Sequence, residues 1–181
     1  MRLQNAITMA MDLHSGQKRK DTGDDYIFHP LRVMARVLDT SFPEPKKTTL
    51  AIAAVLHDTV EDTTITIKEI EAEFGEEVAG IVRDLTHANW ADPRPSRKDR
   101  LAHERERLSR ASQEVAIIKA FDRIDNLHEM ERSEKVKWMR SYASESVDLL
   151  VCLNIPSILN DLLANQIKCV LLEAEYRERE I

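Results

Sequence analysis

The chain has 181 residues with a net charge of −6, only 5% aromatic residues and 4 glycines. That is enough for one domain with a real core and too little for two full-sized ones. The acidic balance argues against general nucleic-acid or anionic-membrane binding, and no apolar run approaches the ~20 residues of a membrane span. Leu, Ala, Ile, Glu and Arg are abundant, so an all-α fold is expected.

Residues 3 to 15 carry Leu3, Ile7, Ala10, Met11 and His14 at helical spacing, predicting a helix that ends near Gly16. This amphipathic start lacks the basic stub and apolar block of a signal peptide, so a cytoplasmic protein is expected. His14 reads as a core or supporting histidine. Lys18-Arg19-Lys20 follows, then a polar loop from Asp21 to Asp25. Three adjacent cations are either a solvated turn or a grip on an anion.

In Tyr26-Ile27-Phe28-His29-Pro30, the proline disfavours helical geometry at His29 and suits the first helical position itself. His29 is therefore expected at or just before a helix start, as a cap or as a ligand. The helix should run to about Asp39. After the turn Phe42-Pro43-Glu44-Pro45, the next helix is expected over Thr48 to Val60, inside the stretch Ala53-Ala54-Val55-Leu56-His57-Asp58-Thr59-Val60-Glu61-Asp62. This stretch starts apolar and ends in four ionisable side chains. His57 and Asp58 project about 100° apart around a helix axis, and a cation between their directions is within reach of both. One imidazole and one carboxylate form a half-site suited to Mn²⁺, Fe²⁺, Co²⁺ or Zn²⁺, and burying such charge is costly without a compensating cation.

Thr66-Ile67-Lys68-Glu69 reads as a capping box opening a short helix that ends around Gly75. A further helix is expected from Glu76 to about His87, whose imidazole would sit well at a helix C-terminus. Ala88 to Arg97 is irregular, with Arg94, Arg97, Lys98 and Arg100 giving it a positive bias. Ser96 is placed to cap the next helix, whose face Arg100-His103-Glu104-Arg105-Glu106-Arg107 looks like solvated, salt-bridged surface. Val115-Ala116-Ile117-Ile118-Lys119-Ala120-Phe121 is a buried helix that ends in Asp122, Arg123, Asp125 and Asn126, repeating the plan of the His57 stretch. Two helices, about Ser133 to Leu153 and Pro156 to Arg179, complete the chain, and their stripes read as core or dimer surface. Cys152 and Cys169 fall in apolar patterns without ligand-like spacing and read as reduced core thiols.

Taken jointly, His29, His57-Asp58 and Asp122 are four N/O donors, each where an apolar segment meets polar residues. This H…HD…D order resembles the HD phosphohydrolase superfamily. Gln17-Lys18-Arg19-Lys20, Tyr26-Ile27-Phe28-His29-Pro30, His57-Asp58-Thr59-Val60-Glu61-Asp62 and Lys119-Ala120-Phe121-Asp122-Arg123-Ile124-Asp125-Asn126-Leu127 together resemble the hydrolase domain of the RelA/SpoT family. The resemblance runs from about residue 6 to 130, with the helices of 133–179 packing on that core. It implies one HD domain over 1–181, a helical bundle of about eight or nine helices. Without room for a synthetase domain, the chain is similar to stand-alone small alarmone hydrolases.

The resemblance further implies removal of the 3′-pyrophosphate of guanosine tetra- or pentaphosphate with Mn²⁺. His29, His57, Asp58 and Asp122 would hold the metal, and Glu61 and Asp62 would orient and deprotonate the attacking water. Arg19 and Lys20 would bind phosphates or cover the base, and Asn126 would contact the ribose. A phosphorylated nucleotide is the expected partner, a homodimer is compatible, and neither nucleic acid nor membrane is expected. Asp24-Asp25, where relatives often have a proline, and Phe121, where a small residue is common, depart from the family pattern. The alternatives are an HD-fold nucleotide phosphatase of other specificity, such as an NADPH phosphatase, and a metal-bound nucleotide sensor without turnover.

Overall fold

The computed structural model describes residues 1–87 and 95–179. Among the described residues there are ten helical segments and no strand, and Lys18 meets Asp25 in an isolated antiparallel bridge. The all-α expectation holds, with nine helices of two turns or more and one single turn. The chain divides into two compact units, one drawn from Met1–Arg19 and Asp24–Pro95, the other from Lys20–Gly23 and Ser96–Ile181.

The first unit contains α1 (Arg2–Leu13), α2 (Phe28–Leu38), α3 (Lys46–Leu56), α4 (Thr59–Asp62), α5 (Ile67–Phe74) and α6 (Glu76–Leu85). Its centre is α3, in which every residue from Leu50 to Leu56 is buried. A helix apolar all round must be covered all round, and α1, α2 and α6 pack against it. The capping box on α5 forms as expected: the Thr66 hydroxyl accepts from the Glu69 amide, and the Glu69 carboxylate accepts from the Thr66 amide. Gly75 turns the chain between α5 and α6 at φ 84°, a conformation that side chains oppose. The Arg2 guanidinium donates to the Phe74 carbonyl just before it.

The expected single helix over Thr48 to Val60 is two helices. The first begins earlier, behind Pro45, and it stops at Leu56 because the Thr59 hydroxyl donates to the Leu56 carbonyl at 2.7 Å, competing with the backbone ladder. The chain restarts one residue after Asp58, whose carbonyl accepts the amides of Glu61 and Asp62 at 3.2 and 3.0 Å. A break of two residues thus sets His57 and Asp58 apart from both helices.

The second unit contains α7 (Arg97–Ser109), α8 (Gln113–Met130), α9 (Val136–Cys152) and α10 (Ser157–Arg179). Ser96 caps α7, accepting from the Asp99 amide, as its position predicts. The central helix is α8, buried almost throughout and including Lys119, Asp122, Arg123 and Asp125; α9 and α10 pack on it and on each other. Two expectations fail in this unit. Glu104 is buried rather than solvated, because a buried lysine on α8 needs it. Cys169 is exposed and Cys152 half-buried, because their apolar neighbours are not all on the inward face. Most of the segment read as irregular, including Arg94, lies outside the described residues.

Candidate metal centre

His29 is the second residue of α2 and is 1% exposed. The cap reading fails: Ile27 holds the N-cap position without a side-chain bond. A proline in the first turn of a helix forfeits no intrahelical hydrogen bond, so His29 is wound into the helix and its ring turns inward. It lies edge-on to the His57 ring, with centroids 5.2 Å apart.

His57 is the residue that caps the C-terminal end of α3 and is 3% exposed. Its Nδ1 lies 2.8 Å from the Ala54 carbonyl. A carbonyl only accepts, so Nδ1 carries the ring proton and Nε2 presents its lone pair, the orientation of a metal-ligating histidine. That Nε2 is 3.1 Å from Asp58 Oδ2, and His29 Nε2 is 3.5 Å from the same oxygen. Two imidazole nitrogens and one carboxylate therefore converge within the first unit. The donor set suits a divalent transition ion.

Asp58 has a further partner in Tyr26, whose hydroxyl donates to Oδ2 at 2.7 Å. Burial, and then the negative charges of Asp58 and Asp62, hold the Tyr26 phenol far above its ordinary range. It remains a donor. Its ring stacks on His14 at 4.9 Å, and the Arg19 guanidinium sits 5.3 Å over it. His14 is buried and contacts Gln17 Oε1 at 2.8 Å, while Gln17 Nε2 donates to the Asp62 carbonyl at 3.0 Å. The end of α1 is thereby tied to the turn that follows the His-Asp pair.

Glu61 faces His87: its carboxylate is 2.8 Å from Nδ1 and also accepts from the His87 amide. His87 is thus a partner of Glu61 rather than a helix-end cation. Partial burial and then the Asp58 charge raise the Asp62 carboxyl above its ordinary value. Arg19 belongs to this unit; Lys20 belongs to the other and is exposed. Lys18 is bound to Asp25 at 2.7 Å, so one acid of the unusual Asp24-Asp25 pair neutralises one cation of the basic cluster.

In the second unit Asp122 is buried on α8. Lys119 Nζ lies 3.0 Å from one of its oxygens, and Asn126 donates to the other at 2.5 Å. Lys119 is also 3.3 Å from Glu104. Burial pulls the Lys119 ammonium down, but Asp122 and Glu104 more than offset this and hold it above its ordinary value.

A model of the HD domain matches residues 6–153. A guanosine-3′,5′-bis(diphosphate) 3′-pyrophosphohydrolase of Xenopus tropicalis, MESH1, is 36% identical over 77% of this chain and 75% of its own length. The chain belongs to the HD-domain family. Within that family it groups with the RelA/SpoT-type hydrolases. A GTP pyrophosphokinase of Brucella ovis is likewise 36% identical over 81% of this chain, but the chain spans only 19% of that relative's length. The solved structure of a metazoan ortholog of SpoT superposes on 98% of this chain and 95% of its own, with a TM-score of 0.71 and 24% identity; it shares the fold. Membership in the HD-domain family implies a divalent cation, and the His29, His57 and Asp58 donors fit one. None of the described helices is long and apolar enough to cross a membrane.

Sequence reasoning gave no supporting role to three residues of this HD domain. Tyr26 was visible as a tyrosine three positions before His29, one helical turn away. Lys119 was visible as a lysine inside an apolar run, three positions before Asp122. His87 gave no signal, because its contact with Glu61 is long-range.

Proposed function

We propose that this HD-domain protein is an Mn²⁺-dependent hydrolase that removes the 3′-pyrophosphate of guanosine tetra- or pentaphosphate in the cytoplasm. The observation that carries this reading is the convergence of His29, His57 and Tyr26 on the Asp58 carboxylate. The similarity to the Xenopus hydrolase supports the substrate. In this reading the whole chain is one HD domain, and Asp122 joins His29, His57 and Asp58 as the fourth ligand.

When bound, the cation neutralises phosphate charge and lowers the pKa of water. The residues of the chain do the rest. Glu61 and Asp62 orient the attacking water and accept its proton; the raised carboxyl of Asp62 is better matched to that task than an ordinary aspartate. His87 holds the Glu61 carboxylate in place. Water adds to the phosphorus at the ribose 3′ oxygen, that P–O bond breaks, and the 3′ oxygen takes a proton, leaving the 5′-phosphorylated nucleoside and pyrophosphate. Arg19 and Lys20 offset the charge of the diphosphates, and Asn126 serves the ribose.

The test is a turnover screen with Mn²⁺ against guanosine tetraphosphate, NADPH and ordinary nucleotides. Pyrophosphate release from guanosine tetraphosphate is expected, together with uptake of about one ion per chain that Asp58→Ala and Asp122→Ala abolish. Preferential phosphate release from NADPH would establish the alternative phosphatase, a reading the Lys18–Asp25 pair favours by removing one cation from the substrate's reach. Nucleotide binding without product would make the protein a sensor.

A further inference from the structure

The last helix, α10, carries two apolar stripes. Leu159, Leu163, Ile167, Val170 and Ala174 are buried in the packing against α8 and α9. The second stripe is Ile158, Leu162, Asn165, Cys169, Leu172 and Tyr176, spaced alternately four and three residues apart. That is the 3.5-residue period of a coiled-coil seam. It faces outward: Ile158 is 80% exposed, Tyr176 60%, Leu172 56% and Leu162 43%, and Cys169 is exposed. Single exposed apolar residues need no explanation, but four large apolar side chains exposed along one seam of this period mark an interaction surface.

We propose that this seam docks a second copy of the chain, α10 against α10, parallel and in register. Charge decides the occupant and the direction. Lys168 and Glu173 flank the seam five residues apart, the spacing at which flanking residues of two parallel helices meet. In-register pairing brings Lys168 of each copy to Glu173 of the other, twice by symmetry, where it joins the Arg177 guanidinium that already holds Glu173 at 2.6 Å. An antiparallel pairing of the same seam sets Lys168 against its own counterpart and Asp161 toward Glu175, like against like. Asn165, polar at the middle of the seam, meets its own copy only in the parallel register, where two amides bond to each other; a polar seam residue of this kind fixes register.

The energetics favour association despite the shortness of the seam, which spans about 27 Å at 1.5 Å per residue. An isolated helix of that length is marginal in water. Here the opposite face is already packed into the unit, so α10 is ordered before it meets its partner and docking does not incur the cost of helix formation. The exposure of Cys169 follows from the same geometry: it is a seam residue, not a core thiol.

Sedimentation of the 181-residue chain at micromolar concentration tests the proposal, with a dimer expected. Leu162→Glu combined with Leu172→Glu should weaken self-association by about 100-fold or more, with unchanged helical circular dichroism because both side chains are at the surface. Lys168→Glu should weaken the dimer about tenfold, and adding Glu173→Lys should restore it. In a Cys152→Ser background a short bis-maleimide should join Cys169 to its counterpart. A chain that is monomeric at these concentrations overturns the proposal, as does a dimer indifferent to the double glutamate substitution. A dimer with neither the Cys169 link nor charge-swap rescue refutes the parallel register.

Discussion

The His57-Asp58 stretch and the Lys119–Asn126 stretch are built to one plan, an apolar helical run that ends in acids, yet they handle the acid differently. Asp122 is held within its own helix by a permanent cation, Lys119, and by the Asn126 amide. Asp58 is held by a neutral phenol and faces two imidazole nitrogens. The first arrangement sets its acid beside a fixed cation on its own helix, whereas the second sets it beside a phenol and two ring nitrogens. A fully buried carboxylate such as Asp122 is costly without compensation, and Asp58 is only half-buried. The difference teaches that Asp122 carries a counter-charge on its own helix, which a ligand role there would share with Lys119, while Asp58 is oriented by a phenol beside two imidazoles.

The sharpest way to break this comparison is to remove the fixed cation. Lys119→Met leaves Asp122 and Glu104 buried beside each other without an ammonium. Breaking a buried ion pair from one side costs about 3–5 kcal/mol, so urea unfolding of the metal-free protein should show a loss of that order. Asp58→Asn in the same metal-free protein should shift stability by no more than about 0.5 kcal/mol, because Tyr26 can donate to the new amide oxygen. Equal losses in the two variants would mean that both acids are structural and that the asymmetry is without consequence.

The features of the sequence that were readable, and those that were not, follow the same division. The capping box at Thr66 and Glu69 and the Ser96 cap depend on neighbours within a few residues, so spacing alone exposes them, whereas the H…HD…D order, spread from His29 to Asp122, is legible only through the family resemblance. The break at His57-Asp58 was missed because a threonine hydroxyl, not a glycine or proline, ends the helix. His29 looked like a cap because the proline rule is local; burial overrode it. Glu104 was taken for surface because its helix is otherwise highly charged, and only the buried Lys119 on another helix explains its position. What the chain keeps local is legible, and what it satisfies across helices is not.

A smaller effect separates placement from chemistry in the Asp58 region. Glu61→Gln keeps the shape of a side chain already held by His87 but removes its basicity. Metal content should persist while turnover with Mn²⁺ falls about 10²-fold, the scale expected of a lost general base. A fully active variant would assign the base to Asp62, whose raised carboxyl already suits it.

The smallest change tests whether the neutral donor is what distinguishes Asp58. Tyr26→Phe deletes one hydroxyl and retains the ring that stacks on His14. Because the phenol is held protonated, the only interaction lost at Asp58 is its 2.7 Å hydrogen bond. The carboxylate is left free to rotate away from the two imidazoles. Removing a group that orients a ligating carboxylate typically costs 10–100-fold in metal affinity, and the lower end is expected here because the two histidines are fixed by their own contacts. Titration with Mn²⁺ should therefore show an affinity about tenfold weaker, while the metal-free stability falls by roughly 1.5–3 kcal/mol, the range for a hydrogen bond to a charged group. If the affinity is unchanged, Asp58 is aimed by the turn between α3 and α4 alone, and the tyrosine contributes only to packing.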